Sequence, residues 1–165
     1  MKLPGFLSLL LLTASINPPH AGDLARVGEP APPLAGPSLT GTSPDLDRLH
    51  GKVVLLILFS LQSEPSLREF SFVEREICQP GLPDGLVLIA VGRDQEEARL
   101  GSLAHDHPRF QIVADPKRQI FNRYAADAVP RTYVIGRDGR IQYAGIGFDE
   151  WEIDRIKGAL LAALK

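Results

Sequence analysis

Runs of apolar residues, separated by turn-forming residues, divide the chain into strands and helices. Seven consecutive apolar residues, Val53–Phe59, predict a strand buried on both faces, because a strand with one solvated face would alternate with polar residues. Shorter apolar stretches predict four more strands: Leu86–Val91, Phe110–Val113, Thr132–Ile135 and Ile141–Ala144. The last two are joined by Gly136-Arg137-Asp138-Gly139, whose Asp-Gly pair is a hairpin signal.

Helical spacing of apolar residues predicts helices between these strands. Leu67, Phe70, Val73 and Ile77 share one helix face, and Gln79-Pro80-Gly81 ends that helix. Further helical segments are expected at Leu46–Leu49 (a single turn), Gln95–Ala104, Asp115–Tyr124 and Glu150–Leu164, where Trp151 is expected to pack in the core. The order of elements predicts an α/β fold: a central mixed sheet, built from a βαβ unit and then a ββα unit, flanked by helices.

The polar elbow after the first strand carries the signals of a helix start. Ser63 can cap the helix, Pro65 suits its first turn, and Ser66 with Glu69 spells a capping box. These signals differ in register by two or three residues, so either serine can be the cap. A helix start directly behind a strand favours anions and thiolates, which makes the elbow a candidate site for chemistry.

The first 22 residues differ in kind from the rest. Lys2 precedes an apolar run, Phe6–Leu12, and small or polar residues follow to Gly22, which is the plan of a signal peptide. The run is shorter than the ~20 residues that span a bilayer. Ala21 is the best cleavage position, although Pro19 is not the small residue expected two positions before it, and Ser15 with Thr13 is a second candidate. A buried N-terminal helix or an uncleaved anchor is the alternative. We predict a signal peptide at 1–22 with periplasmic or secreted localisation, and a Pro/Gly-rich opening segment at 23–45.

Composition and charge exclude several classes of function. The 165 residues are 44% hydrophobic and 23% charged, with a net charge of −2 and no block of like charges. Nothing therefore indicates nucleic acid or a membrane surface, apart from the signal segment. A single cysteine, Cys78, excludes an intramolecular disulfide and a multi-cysteine metal site. His105-Asp106-His107 could ligate a metal but is more typical of a solvated loop, so we predict no metal and no cofactor.

Five short sequences occur in an order and spacing that resemble one known fold. They are Gly28-Glu29-Pro30-Ala31-Pro32, Leu49-His50-Gly51-Lys52-Val53-Val54-Leu55, Ala114-Asp115-Pro116, Val129-Pro130-Arg131-Thr132-Tyr133-Val134-Ile135 and Arg137-Asp138-Gly139-Arg140-Ile141. Together they resemble the thioredoxin fold and, more narrowly, the exported thioredoxin-like proteins of the TlpA and redoxin group, which is related to AhpC/TSA. The resemblance covers about residues 28 to 164 and implies a thioredoxin-like domain at 28–165.

The resemblance implies a redox motif at the elbow, and this sequence departs from it. Family members that exchange thiols and disulfides carry Cys-x-x-Cys there, and the matching positions are Ser63 and Ser66. Serine forms no disulfide and is a poor nucleophile unless a base activates it. The family's polar residue in the first strand matches Ile57, and its Trp before the first cysteine matches Gln62. These departures together imply a site that no longer performs dithiol exchange.

Two further residues each have two interpretations. Cys78 lies at the far end of the helix, where the helix dipole disfavours a thiolate, so a buried thiol is favoured over a one-cysteine peroxidase or redox sensor. Pro130 matches the proline that is cis in the thioredoxin fold. The residue before it, here Val129, pairs there with an extended peptide. Pro130 can retain that binding role or only maintain the loop.

Three hypotheses follow. The leading one is a secreted or periplasmic thioredoxin-fold protein that binds an extended peptide or envelope protein without dithiol chemistry. Its predicted binding residues are Gln62, Ser63, Glu64, Pro65, Ser66, Val129 and Pro130. The second is a thiol–disulfide oxidoreductase or antioxidant enzyme working through Cys78 or the thiols of a partner. The third is an assembly subunit of envelope redox or cytochrome maturation machinery.

Overall fold

Five strands form one mixed sheet in the order β3-β2-β1-β4-β5. The computed structural model describes residues 24–34, 36, 38–41, 43–93 and 97–165, so the predicted signal peptide lies outside the described residues. The strands are β1 (Val53–Phe59), β2 (Leu86–Gly92), β3 (Phe110–Ala114), β4 (Arg131–Ile135) and β5 (Ile141–Ile146). β1, β2 and β3 are parallel, while β4 is antiparallel to both β1 and β5. The predicted mixed sheet, βαβ followed by ββα, is confirmed.

The central strand β1 is apolar because both of its faces are covered. All seven of its residues are buried, as the unbroken apolar run predicts. Val53, Leu55, Ile57 and Phe59 pack on one face with apolar residues of the first and last helices, while Val54, Leu56 and Leu58 pack on the other with Phe121 and Tyr124. The sheet therefore separates two apolar layers.

Among the described residues, four α-helices and a 3-10 turn accompany the sheet. The 3-10 turn is Leu46–Leu49, and the helices are α1 (Glu64–Val73, continued by a π-helical turn at Glu74–Cys78), α2 (Glu97–Asp106), α3 (Phe121–Tyr124) and α4 (Glu152–Leu164). In this described part of the chain, none of the helices is long and apolar enough to cross a membrane.

Helix α3 is much shorter than the predicted Asp115–Tyr124 helix. The buried Asp115 carboxylate accepts the backbone N–H groups of Gln119, Ile120 and Phe121 at 2.7, 2.9 and 2.8 Å. Between them lies Arg118 with φ 56°, in the left-handed region that interrupts a right-handed helix. The Asp-Pro sequence therefore marks a folded turn ahead of the helix rather than the helix start itself.

The prediction that Trp151 packs in the core is wrong. Its side chain is 68% exposed, and Leu161 is 64% exposed. Ile153, Ile156 and Leu160 form the buried face of α4. At 100° per residue, Trp151 and Leu161 each point about 140° away from Ile156. The sequence prediction placed Trp151 in the core with the other apolar residues of this segment because of its residue type. Its helical spacing places it on the exposed side instead.

The opening segment covers both edges of the sheet. On the β5 side, Ile141 N–H donates to the Glu29 carbonyl at 2.9 Å, and Gly28 N–H donates to the Ile141 carbonyl at 2.8 Å. On the β3 side, Leu39 N–H donates to the Ile112 carbonyl at 2.8 Å. These contacts occupy edge groups that would otherwise be open to pairing with another chain.

One carboxyl group is enclosed in the core on the α1 side of the sheet. Glu69 is fully buried, and the Thr132 hydroxyl donates to its Oε1 at 2.5 Å. Burial raises the pKa of Glu69 to about 8, and the nearby Glu152 carboxylate adds to this rise, although the Thr132 hydrogen bond opposes it. Glu69 is therefore mostly protonated at neutral pH.

We expect Glu69 to make the folded state less stable as pH rises from about 4.5 to 8. Below this window both states bind the proton. Within it the unfolded chain releases the proton and the folded chain keeps it, and above it both have lost it. The free energy of unfolding should fall by on the order of 3 kcal/mol across the window.

Urea denaturation at pH 5, 6.5 and 8.5 measures this decline in the wild type, in Glu69→Gln and in the exposed-acid control Glu150→Gln. Glu69→Gln should remove most of the decline because its amide does not titrate, and Glu150→Gln should keep it. If the free energy of unfolding falls equally with pH in the wild type and in Glu69→Gln, the decline does not come from Glu69.

Candidate functional site

The elbow between β1 and α1 is organised by serine hydroxyls. Ser63 is the N-cap of α1, since its Oγ accepts the Ser66 N–H at 3.3 Å. Ser60 Oγ accepts the Gln62 N–H at 3.1 Å and shapes the preceding turn. The capping box of Ser66 with Glu69 is not formed, because both side chains point into the protein. Of the two capping serines that the sequence allows, the structure selects Ser63.

The predicted elbow residues differ widely in exposure. Gln62 and Glu64 are exposed, and Ser63 and Pro65 are half-buried. Ser66 is fully buried, and its hydroxyl has no hydrogen-bond partner among the residues that the structure describes. A ligand that docks here would therefore contact the first four positions and not the Ser66 side chain.

A cis peptide bond joins Val129 to Pro130, as the resemblance implies. In the antiparallel pair of β1 and β4, Ile57 lies opposite Thr132 and Leu58 opposite Arg131. If this register is continued beyond the strands, Val129 lies opposite Ser60, at the end of the sheet where the elbow lies. Val129 is half-buried. Within the described part of the chain its N–H and carbonyl take part in no hydrogen bond. Free backbone groups of this kind can pair with an extended peptide.

Two arginines hold the loop that leads into this cis bond. Arg93 Nη1 donates to the Asp127 carbonyl at 2.6 Å, and Arg118 Nη2 donates to the Ala126 carbonyl at 2.9 Å and to Asp127 Oδ1 at 3.2 Å. Both guanidinium groups also lie over the Phe121 ring, with Cζ 5.3 and 4.8 Å from its centroid. We call Arg93, Arg118 and Phe121 the arginine clamp. It fixes residues 126–127 relative to α3.

Polar groups remain beneath the elbow, which sequence comparison with the family did not anticipate. Ile57 occupies the strand position that is polar in the family, but its neighbour across the β1–β4 pair is Thr132, which holds Glu69. Ser66 and Glu69 lie three residues apart on one helix face, and Glu69 Oε2 has no partner among the described residues. Polar side chains from α1 and β4 therefore lie beneath the elbow although the strand position itself is Ile57.

Glu69 was missed because its charge favoured a capping role over a buried one. The signal was present in the spacing, since Ser66, Glu69, Phe70 and Val73 form the buried face of α1. A protonated carboxyl does not take a proton from a hydroxyl, so Glu69 does not activate Ser66 as a nucleophile near neutral pH. No hydrogen bond joins a histidine to Ser63 or Ser66 within the described ranges.

Cys78 is not part of the elbow. It lies twelve residues beyond Ser66, about 18 Å along the helix, and is fully buried. Burial, together with the Glu74 carboxylate, raises the pKa of the thiol to about 11, and Arg109 opposes this rise. Arg109 also donates to the Cys78 carbonyl. This environment disfavours the thiolate, which is the nucleophilic form.

The remaining candidate residues form no site at the elbow. His105 is exposed, while His107 packs on Phe70 and has its Nδ1 3.8 Å from the Glu74 carboxylate. Among the described residues, no group of three His, Cys, Asp or Glu side chains could hold a metal ion. An open cavity of about 890 Å³ lies between the opening segment and the 3-10 turn, and none of the predicted site residues lines it.

Comparison with known proteins agrees with this architecture. The profile of the AhpC/TSA family matches residues 27–144. A thiol-disulfide oxidoreductase ResA of Bacillus cereus is 24% identical over 123 residues, which is 74% of this chain and 70% of that protein.

Two solved structures show the same fold. The proposed disulfide isomerase of Bacteroides thetaiotaomicron has a TM-score of 0.75 and 25% identity, covering 87% of this chain and 92% of that one. The proposed thiol:disulfide interchange protein DsbE of Chlorobium tepidum has a TM-score of 0.72 and 24% identity, covering 86% and 99%. The chain therefore has the thioredoxin fold and belongs to the AhpC/TSA family.

Proposed function

We propose that this protein binds an extended peptide, or an extended segment of a partner protein, without exchanging dithiols. The observation that carries the proposal is the backbone of Val129, half-buried and unpaired among the described residues, at the cis bond to Pro130 beside the elbow. A strand laid against Val129 would gain backbone hydrogen bonds without any thiol. Gln62, Ser63, Glu64 and Pro65 would form the opposite rim of this site.

The absence of dithiol chemistry is part of the proposal. The resemblance aligns Ser63 and Ser66 with the two cysteines of the family motif, and the chain has no cysteine other than Cys78. Ser63 nevertheless holds the N-cap position, where a thiolate would be stabilised by the helix N-terminus. We propose export to the periplasm or outside the cell, on the predicted signal peptide. An envelope protein is then the expected source of the bound segment.

A second candidate is supported by the names of the relatives, which are thiol-disulfide oxidoreductases. In that case the protein would act through Cys78 or through thiols that a partner supplies. The burial of Cys78 and its raised thiol pKa oppose the first of these routes.

Restoring two cysteines should restore exchange chemistry. We expect the wild type to reduce or oxidise a model peptide disulfide no faster than Cys78→Ser, because no accessible thiol is present. Ser63→Cys/Ser66→Cys should exchange at least about 100-fold faster than the wild type, because its first thiol lies at the helix N-terminus. Ser63→Cys alone is the matched control and should form only mixed disulfides.

The redox assay has two contradicting outcomes. Wild-type exchange above the Cys78→Ser rate would overturn the non-redox proposal. If the double variant forms its disulfide, as mass spectrometry would show, and still exchanges no faster than the wild type, the assignment of Ser63 and Ser66 to the motif positions would be wrong.

Removing half of the arginine clamp should weaken peptide binding. Arg118→Gly deletes the guanidinium and relieves the left-handed backbone, since glycine adopts φ 56° without strain. The loop before Val129 would then lose two hydrogen bonds. We expect decapeptides selected from a random library to bind about 5- to 10-fold more weakly, mostly through faster dissociation.

Arg123→Ala is the matched control, because Arg123 is exposed and contacts the Pro33 carbonyl in the opening segment. Surface plasmon resonance measures the rates, and the melting temperature checks the fold. Equal affinities for Arg118→Gly and Arg123→Ala would show that the loop does not contribute to binding. Failure of the library to yield any binder would overturn the binding proposal.

The reactivity of Cys78 distinguishes the second candidate. With a thiol pKa of about 11, the thiolate fraction at pH 7 is about 100-fold below that of an unperturbed thiol, and burial slows access further. We expect alkylation of the native protein by a bimane probe to be more than 100-fold slower than in urea, and its rate to keep rising above pH 9. Rapid labelling below pH 7 would favour an enzyme acting through Cys78.

A further inference from the structure

The loop that follows β5 lies beside the proposed peptide site. Gly147 N–H donates to the Pro130 carbonyl at 2.9 Å, so the loop begins directly behind the cis bond. Its next residue, Phe148, places its ring 5.3 Å from the Phe72 ring on α1. We call residues 147–151 the acidic loop. It connects the loop of Pro130 with the side of helix α1, and a peptide leaving Val129 in this direction would pass over it.

Apolar side chains are exposed along this path. Trp151, at the end of the acidic loop, is 68% exposed, and Ile146, just before the loop, is 36% exposed. Val129 is half-buried. An indole that contributes so little to the core leaves a large face open to a ligand.

The acidic loop also carries negative charge that is not neutralised by ion pairs. Asp149 and Glu150 are exposed, and within the described residues neither forms a salt bridge. Asp149 Oδ1 accepts the N–H groups of Trp151 and Glu152 at 3.0 and 2.9 Å, which holds its carboxylate at the start of α4. The neighbouring Arg155 is engaged by Glu152 at 3.0 Å.

The other acids around the proposed site are paired. Glu64 on the elbow lies 3.1 Å from Arg68, and Asp127 lies 3.2 Å from Arg118 in the arginine clamp. Among these acids, the two without an ion pair in the described part of the chain, Asp149 and Glu150, therefore lie on the acidic loop. An anionic ligand or an anionic lipid surface would be repelled there, and a cation would be attracted.

An exposed indole next to two carboxylates is a suitable environment for an alkylammonium or guanidinium group. The indole face attracts a cation through its quadrupole, and the carboxylates supply charge and hydrogen-bond acceptors. We propose that the acidic loop selects a Lys or Arg side chain of the bound peptide. This inference rests on the proposed function, because it specifies the peptide that the Val129 site would accept.

The chain length of the loop sets the position of that cation. Trp151 is four residues from Gly147, so their Cα atoms are at most about 14 Å apart. An extended peptide rises about 3.3 Å per residue. The Lys or Arg should therefore lie no more than about four residues from the peptide residue that pairs with Val129, on the side that runs over Ile146.

The test uses three capped decapeptides of Ser, Thr and Val that differ at one position, four residues from the centre: Lys, Glu or norleucine. Trp151 is the single tryptophan of the chain, so its fluorescence reports binding at this loop. We expect the Lys peptide to bind about 10-fold more tightly than the Glu peptide at low salt. The ratio should fall towards threefold at 0.3 M NaCl, because exposed charges are screened.

Variants separate the charge from the aromatic surface. Glu150→Lys should reduce or reverse the preference for Lys over Glu, while the same change at Asp84→Lys should leave it unchanged. Asp84 is exposed before β2, at the opposite end of the sheet from the elbow. Trp151→Ala removes the fluorescent reporter, so its binding is measured by surface plasmon resonance beside the wild type. This variant should bind the Lys peptide at least threefold more weakly, with a smaller effect on the Glu peptide.

The outcomes distinguish this inference from the proposed function. If all three peptides bind equally and Arg118→Gly weakens each of them, the site binds peptides and the cation preference is wrong. If none of the three binds and the random library also yields no binder, the proposed function itself fails. An equal loss of preference in Glu150→Lys and Asp84→Lys would show a general charge effect and overturn the role of the acidic loop.

Discussion

The complete burial of β1 is the constraint on which the rest of the structure depends. A strand covered on both faces requires helices on one side and an apolar layer on the other, and here α1 with α4 supplies the first and α3 with the opening segment the second. The strand also has a parallel neighbour and an antiparallel one. The C-terminal end of β1 therefore lies beside the start of β4. This places the elbow and the cis bond before Pro130 at the same end of the sheet.

The burial of β1 also accounts for the polar groups beneath the elbow. Thr132 faces α1 because it pairs with Ile57, and a hydroxyl in an otherwise apolar layer needs a hydrogen-bond partner. Glu69 provides one from α1, at the expense of desolvating a carboxyl group, whose pKa rises in consequence. The bond connects the helix behind the elbow to the strand behind Pro130. The bond therefore holds α1, which begins at the elbow, at a fixed distance from β4, which follows Pro130, and it needs no thiol to do so.

The sequence predicts those parts of the fold that follow from local patterns. The apolar run of β1 and the Asp-Gly hairpin agree with the structure. So does the stop at Gln79-Pro80-Gly81, because the π-helical turn that continues α1 ends at Cys78. The start of α3 was misjudged because the Asp115 carboxylate replaces a helical turn with a hydrogen-bonded loop, a choice that composition does not reveal.

Glu69 and Trp151 show why the candidate site was harder to predict than the fold. Each residue violates the usual link between polarity and burial, one as an acid inside and the other as an indole outside. If helical spacing is given priority over residue type, it predicts that Glu69 is buried and that Trp151 is exposed. The arginine clamp depends on contacts between residues up to 34 positions apart, and no local pattern indicates it.

Thiol chemistry and peptide recognition depend on different atoms of this fold, so one can be lost without the other. Exchange needs sulfur at the helix N-terminus, whereas strand addition needs the N–H and carbonyl of one residue held in a fixed orientation. Here the serines leave the helix start intact as a cap, and the arginine clamp and Gly147 hold the Pro130 loop from two sides. In the proposed function, the affinity for a peptide would then come from side chains around the backbone contact. The acidic loop, whose two carboxylates form no ion pair within the described residues and whose indole is exposed, is the proposed source of that affinity.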